Sequence, residues 1–369
     1  MVSMLDFRRA LHRRPELSFQ EHKTQQFIID ALRSEGIPYR AIAGTGVLAV
    51  IEGKRGNHQR AVALRADIDA LPIEELNDVE YRSENKGVMH ACGHDMHAAI
   101  LFGVLQSLNR ERDFEGTLFG IFQPGEELNP GGASLVLKEE PFAGYDVAAV
   151  IGEHVDARLE VGEIGICPGR FMASNDELRF KVSGRGGHAA RRKEIDDTVT
   201  AMADMIVRTT SLNSPDGVVS VGRVIAEGAT NVIPGEVNAE GTMRTFDKEE
   251  RERIYTHIHG NARLVAEKYG VKVDVDINRG YPCVVNDVLL SYEAMIIASD
   301  EGITVRELQP MTTAEDFGYY TERYPSLFYR LGVGADAGGS HTATFCPDEA
   351  ALDVGERMMR RMALHILNK

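Results

Sequence analysis

The order of helical and strand-like patterns changes once along this chain, and that change limits the folds open to it. Residues 178–182 alternate as a strand does, and 196–211 carry apolar residues at helical spacing. Residues 217–227 and 236–245 read as two strands, 248–268 as a charged helix and 271–278 as a last strand. That order, β-α-β-β-α-β, is the ferredoxin-like unit. The stretch from 173 to 279 is long enough for a domain of its own. Before it the pattern differs: helical periodicity at 5–13 and 21–36, then strands at 46–52, 61–67, 117–123 and 146–152. Between them, a helix from Asp95 carries Ile100, Leu101, Val104, Leu105 and Leu108 on one side. After the inserted stretch come a helix at 288–299, a strand at 327–331 and a helix at 349–367. Strands alternating with helices imply a mostly parallel sheet covered by helices. The chain therefore reads as an α/β domain, residues 1–170 and 284–369, interrupted by an α+β domain at 171–283.

A length of 369 residues suits two or three domains. The net charge of −15 excludes an extended nucleic-acid surface, which needs clustered Lys and Arg. A small anionic substrate stays open, because a local positive site can act inside an acidic shell. No apolar run is long enough to span a bilayer, and residues 1–9 lack the apolar segment of a signal peptide. A cytoplasmic protein is expected. There, Cys92, Cys167, Cys283 and Cys346 are expected as free thiols or metal ligands rather than disulfides.

In open α/β sheets, sites form beyond the carboxyl ends of strands. The strand at 117–123 runs into Pro124-Gly125-Glu126-Glu127, and that at 146–152 into Glu153-His154. The strand at 327–331 leads through a Gly-rich loop to His341, while Cys92 and His94 stand just before a helix. Singly, each has a plain structural role: a hydrogen-bonded histidine, a small buried thiol, a solvated acidic pair. Together, five ligand-type residues at one sheet edge are what a metal site needs, and five exceed what one tetrahedral zinc takes from protein.

Eight segments, spread in order over nearly the whole chain, carry a resemblance. They are His12-Arg13-Arg14-Pro15-Glu16-Leu17-Ser18, Arg65-Ala66-Asp67-Ile68-Asp69-Ala70-Leu71-Pro72 and Met89-His90-Ala91-Cys92-Gly93-His94-Asp95-Met96-His97. Then come Gln123-Pro124-Gly125-Glu126-Glu127, Gly186-Gly187-His188-Ala189-Ala190, Asn231-Val232-Ile233-Pro234, Ala314-Glu315-Asp316-Phe317, and His341 with Phe345, Asp348 and Glu349. The chain resembles the aminoacylase/carboxypeptidase family of two-metal amidohydrolases, in the branch with hippurate hydrolase, indole-acetyl-amino acid hydrolase and N-acetyldiaminopimelate deacetylase. The resemblance implies a metal-dependent exopeptidase fold with an inserted lid that makes a homodimer. It implies two divalent ions, manganese or zinc with nickel or cobalt as alternatives, held by Cys92, His94, Glu127, His154 and His341. It makes Glu126 the general acid/base and lends His188 and Asn231 to an active site, one or both across the dimer interface.

Those roles make chemical sense. Two ions sharing the Cys92 thiolate suit a two-metal hydrolase, whose acidified water attacks an unreactive amide. Glu126 would take the water proton and return it to the leaving amine, while His188 or Asn231 steadies the oxyanion. Asp67, Asp69 and Asp95 are candidates to orient the ligands, with Asp95 alternatively a helix N-cap. Arg244 is the candidate for the carboxylate of an N-acyl amino acid, against the plainer reading of an exposed strand arginine. Two stretches depart from the family pattern: Arg191-Arg192-Lys193-Glu194 replaces a Pro-His pair, and Ser340 to Ala343 lacks a Pro near the ligand. Rival readings are a metallo-dipeptidase or carboxypeptidase, and a non-catalytic metal-containing binding protein of the same fold.

Overall fold

The computed structural model describes residues 2–369. It comprises two compact units: Met1–Phe171 with Val285–Pro310 and Asp316–Lys369, and Met172–Val284 with Met311–Glu315. Segment 311–315 thus joins the second unit from well beyond the inserted stretch.

The first unit is built on an eight-stranded sheet. Its order is β1 (Tyr39–Ile42), β2 (Gly46–Glu52), β4 (Thr117–Gln123), β3 (Arg60–Asp67), β5 (Asp146–Asp156), β16 (Ser326–Gly332), β6 (Glu163–Ile166) and β15 (Thr304–Glu307). The central strands β4, β3, β5 and β16 run parallel, so their carboxyl ends share one edge. Both faces of such strands are covered, which explains unbroken apolar runs like Thr117–Gln123, buried at every position. Helix α3 (His94–Glu111) is buried along one side and round its whole first turn, with α1 (Met4–Arg13) and α9 (Ala351–Leu367) packed against it. Helices α2 (His22–Ser34), α4 (Gly132–Lys138), α7 (Val288–Asp300) and α8 (Gly318–Thr321) complete the unit.

The second unit is an antiparallel sheet, β10 (Gly217–Ile225), β12 (Glu236–Thr245), β8 (Asp176–Ser183), β13 (Lys272–Arg279), with α5 (Thr198–Thr210) and α6 (Lys248–Tyr269). This is the ferredoxin-like order read from the sequence. Its own core holds Leu178, Phe180, Met205, Val219, Ile254 and Val265. Two short pairs, β9 (Gly187–His188) with β11 (Val232–Ile233) and β7 (Gly169–Met172) with β14 (Val284–Asn286), complete the strands. The α/β architecture with an inserted α+β unit is the class expected.

Two local expectations change. Strand β5 continues to Asp156, so Glu153 and His154 lie inside it rather than in a loop after it. Asp95 is not an N-cap: Gly93 holds that position, and Asp95 sits in the first turn of α3. Among the described residues, no helix is long and apolar enough to cross a membrane.

Candidate metal centre

The carboxyl edge of the first unit's sheet gathers the ligand-type residues. Gly93 makes the turn that permits this. Its φ of 85° lies in the left-handed region, and a Cβ there would stand 2.5 Å from Val155 Cγ2. Cys92 therefore ends a loop and His94 begins a helix, with the backbone pressed against the end of β5. Cys92 Sγ lies 3.3 Å from His154 Nε2. The loop carrying His341 is tied to the same place, because the His341 N–H donates to Ala91 O at 2.7 Å. His341 Nε2 stands 3.1 Å from Glu127 Oε1, and His94 Nε2 stands 4.0 Å from that oxygen.

Three sets of ligand atoms result, each within 4.8 Å: Cys92, His94 and His154; Cys92, Glu127 and His341; His94, Glu126 and Glu127. The first two share Cys92, and all six residues belong to the first unit. A fourth set, Asp67, His94 and His97, is not a site. His97 Nε2 accepts the Val155 N–H at 2.9 Å and its Nδ1 bonds Asp67 Oδ1 at 2.6 Å, so both its nitrogens are engaged.

Hydrogen bonds fix which nitrogen each candidate donor presents. The Val155 carbonyl can only accept, so His154 Nδ1 donates to it at 2.7 Å and Nε2 keeps its lone pair toward Cys92. Asp69 Oδ1 accepts from His94 Nδ1 at 3.1 Å, leaving Nε2 buried without a hydrogen bond to any described residue. Asp69 Oδ2 also accepts the Glu127 N–H at 3.0 Å, so one carboxylate steadies two candidate donors. Asp67 is held by Arg65 Nη1 at 2.8 Å, and Arg65 in turn by Asp316 at 2.7 Å. Asp95 contacts none of these candidate donors: it forms an ion pair with buried Arg8 at 2.7 Å and accepts from His12 at 2.9 Å.

Burial pushes the Cys92 thiol up to about 12, so it ionises only where a cation offsets the cost. Burial also acts against His94, but Asp67 and then Cys92 raise it well above the ordinary histidine range. For His154, burial and then the Arg330 charge push the other way, well down. His341, half-exposed, is raised by its contact with Glu127.

The model of Peptidase family M20/M25/M40 matches residues 63–365. The chain belongs to that family. Within it the chain lies in the amidohydrolase branch, and it is a metal-dependent amidohydrolase. It is 35% identical over 373 residues to an N-acetyl-L-cysteine deacetylase of Bacillus subtilis, covering 99% of this chain and 88% of that protein. It is 35% identical over 363 residues to an N-acetyldiaminopimelate deacetylase of Exiguobacterium sibiricum, with 95% and 96% covered. A solved Bacillus subtilis structure, described as a dinuclear metal-binding peptidase of family M20, superposes with a TM-score of 0.87 at 35% identity, with 99% and 97% covered.

The other residues of this M20 hydrolase singled out from sequence lie in the second unit. His188 is exposed in β9 and Asn231 is exposed just before β11. Asn231 O accepts the Ala189 N–H at 2.9 Å, so the two residues belong to one small strand pair. Arg244 is half-buried in β12 opposite Val218 and makes no ion pair with any described residue. Sequence reasoning gave no role to His97, although three residues after His94 is one helix face, or to the buried Glu75, which holds His12.

Proposed function

We propose that this M20 hydrolase cleaves the amide bond of N-acyl-L-amino acids, releasing the acyl acid and the free amino acid. The observation that carries the reading is the pair of donor sets sharing Cys92, with Glu126 beside Glu127. Cys92, His94 and His154 would hold one divalent cation, and Cys92, Glu127 and His341 the other. The donor chemistry fits: thiolate, imidazole and carboxylate suit zinc, manganese, cobalt or nickel, and the buried, partnerless Nε2 of His94 suits a cation better than it suits an empty cleft. When bound, the two ions acidify a water and polarise the amide carbonyl.

The protein's own groups supply the rest. Glu126, buried at the end of the β4 loop, takes the proton from water and delivers it to the leaving nitrogen, because an amine leaves only when protonated. Asp69 and Asp67 keep the histidines and Glu127 aimed. His188 and Asn231 are proposed to donate to the oxygen that becomes negative, and Arg244 to bind the amino-acid carboxylate; a half-buried guanidinium suits a bidentate anion. A homodimer through the second unit is proposed as well, supported by the exposed edge strand β10. The four free thiols accord with a cytoplasmic setting.

Deacetylase relatives favour an acyl amino acid over a peptide; the dinuclear peptidase neighbour keeps a metallo-dipeptidase or carboxypeptidase as the second reading. The test is a panel of acetyl, benzoyl and longer acyl amino acids and dipeptides, assayed with each of the four metals. Glu126→Ala is expected to keep its metal and lose turnover by about 10²–10⁴-fold. Turnover near that of the parent enzyme in this variant, or hydrolysis of dipeptides alone, would overturn the reading.

A further inference from the structure

Just beyond the N-terminal motif, one acidic residue reaches the loop that carries Glu126. Glu21 sits at the N-cap position of α2 but does not cap it. Glu16 does that work, its Oε2 accepting the N–H groups of Lys23 at 2.9 Å and Thr24 at 2.8 Å. Released from capping, the Glu21 side chain is fully buried and turns the other way. Its Oε1 accepts the Gly125 N–H at 2.8 Å, and its Oε2 accepts the Thr45 hydroxyl at 2.5 Å. Burying a carboxyl is costly unless hydrogen bonds compensate it, as these two do.

Gly125 is the residue before Glu126. Its φ is 59°, and a Cβ there would lie 2.2 Å from the Phe19 ring. Its carbonyl accepts the Gly132 N–H at 3.0 Å. On the far side, the Glu127 N–H is taken by Asp69. The two N–H groups flanking Glu126 are thus each held by a buried carboxyl, from two different parts of the chain. We infer that Glu21 is a positioning residue for Glu126, fixing the backbone from which the proton-transferring carboxylate projects. This rests on the reading of Glu126 as that group.

Two substitutions separate reach from charge. Glu21→Asp keeps the acid but retracts it by about 1.5 Å, one carbon–carbon bond, beyond hydrogen-bond distance of Gly125. Glu21→Gln loses the charge but keeps an oxygen at full reach for Gly125, while its amide can donate to Thr45 Oγ. A misplacement of about 1 Å can cost about 100-fold in rate. Glu21→Asp is therefore expected to lower kcat by roughly 30- to 100-fold. KM should stay within about threefold and metal content should not change. Glu21→Gln should stay within about threefold of the parent kcat. In hydrogen exchange, the Gly125 amide should lose protection in Glu21→Asp and keep it in Glu21→Gln.

The cycle with Glu126→Gln decides whether the effect runs through Glu126: adding Glu21→Asp to that variant should cost nothing more. Parent-like kcat in Glu21→Asp, an equal loss in Glu21→Gln, a lost metal, or an additive loss in the double variant would each overturn the inference. Should Glu21→Asp fail to fold, Thr45→Val, which frees the carboxyl at its other oxygen, must lower kcat with KM unmoved; parent-like kcat there refutes it too. Normal turnover by Glu126→Gln alone would instead bring down the reading of Glu126 itself, so the two failures are told apart.

Discussion

Replacing Asp95 by Asn tests how the first turn of α3 is anchored. Asp95 is fully buried, lies 2.7 Å from Arg8 Nε in an ion pair and accepts from His12 Nδ1 at 2.9 Å. Arg8 is itself fully buried. Removing one partner of a buried ion pair costs about 3–5 kcal/mol, because the other charge is stranded. Here Arg8 keeps Glu349 at 2.9 Å and the face of Tyr81 at 4.4 Å, so the lower bound, about 3 kcal/mol, applies. For a unit of this size that corresponds to roughly 6–12 °C in Tm. The assay is thermal unfolding followed by circular dichroism in chelator, so that metal binding cannot hide the loss. The pH dependence adds a second handle. Burial would raise Asp95, but Arg8 and then His12 hold it far below the carboxylate range. Its stabilisation is complete above about pH 4, the unfolded value, and is lost only as pH falls toward that depressed folded value. Burial opposes charge on His12, yet Asp95 and Glu75 raise it. Its share is fully present below about pH 6.5 and fades as pH rises through the raised folded value. The gap between the parent protein and Asp95→Asn should therefore be widest near pH 5.5 and narrower near pH 9, on the scale of about one ordinary histidine titration. A Tm change under about 2 °C, or an Arg8→Met/Asp95→Leu double variant no better than Asp95→Asn, would refute the reasoning.

Other outcomes follow from the site. Cys92→Ser should weaken both cations, because Cys92 belongs to both donor sets, whereas His154→Ala and His341→Ala should each lower the content to about one ion per chain, read by elemental analysis after gel filtration. Metal uptake at neutral pH should release protons and weaken as pH falls, because the Cys92 thiol stands near 12 and His94 is raised. Titration calorimetry in two buffers of different ionisation enthalpy measures the protons released. Arg244→Lys should raise KM by about 10-fold, the loss of one bidentate contact at about 1.4 kcal/mol, and leave kcat nearly unchanged.

Periodicity revealed the elements because the two units have separate apolar cores with different repeats. Alternation marked the inserted sheet, and unbroken apolar runs marked β3, β4 and β16. It failed at the end of β5, where Glu153 and His154 look like loop residues. They remain in a strand because Tyr329 donates its hydroxyl to Glu153 at 2.6 Å and the Val155 carbonyl occupies His154 Nδ1. The proposed donors were picked out by their places beside strand ends and by the family resemblance, since chemistry restricts such donors to residues like Cys, His and Glu. Their supports were less so. Glu21, His97 and Asp316 act through a backbone N–H or a second side chain, and such bonds leave no spacing rule in the sequence. The reading of Asp95 as a cap failed for a related reason: its partners Arg8 and His12 come from a helix more than eighty residues earlier in the chain.

The position of β16 has a consequence for how the chain is made. That strand is inserted between β5 and β6, although along the chain it follows both of them and the contiguous stretch of the second unit. The second unit, by contrast, is nearly contiguous, lacking only the short strip 311–315, and its sheet pairs can form while the carboxyl terminus is still being synthesised. The emerging polypeptide therefore holds an incomplete first-unit sheet, open at β5, until β16 has been made. His341 is the last of the proposed metal donors to appear. A nascent chain stalled before it would own Cys92, His94, Glu127 and His154, yet lack the residue proposed to close the second donor set, so the second proposed cation has to wait for His341.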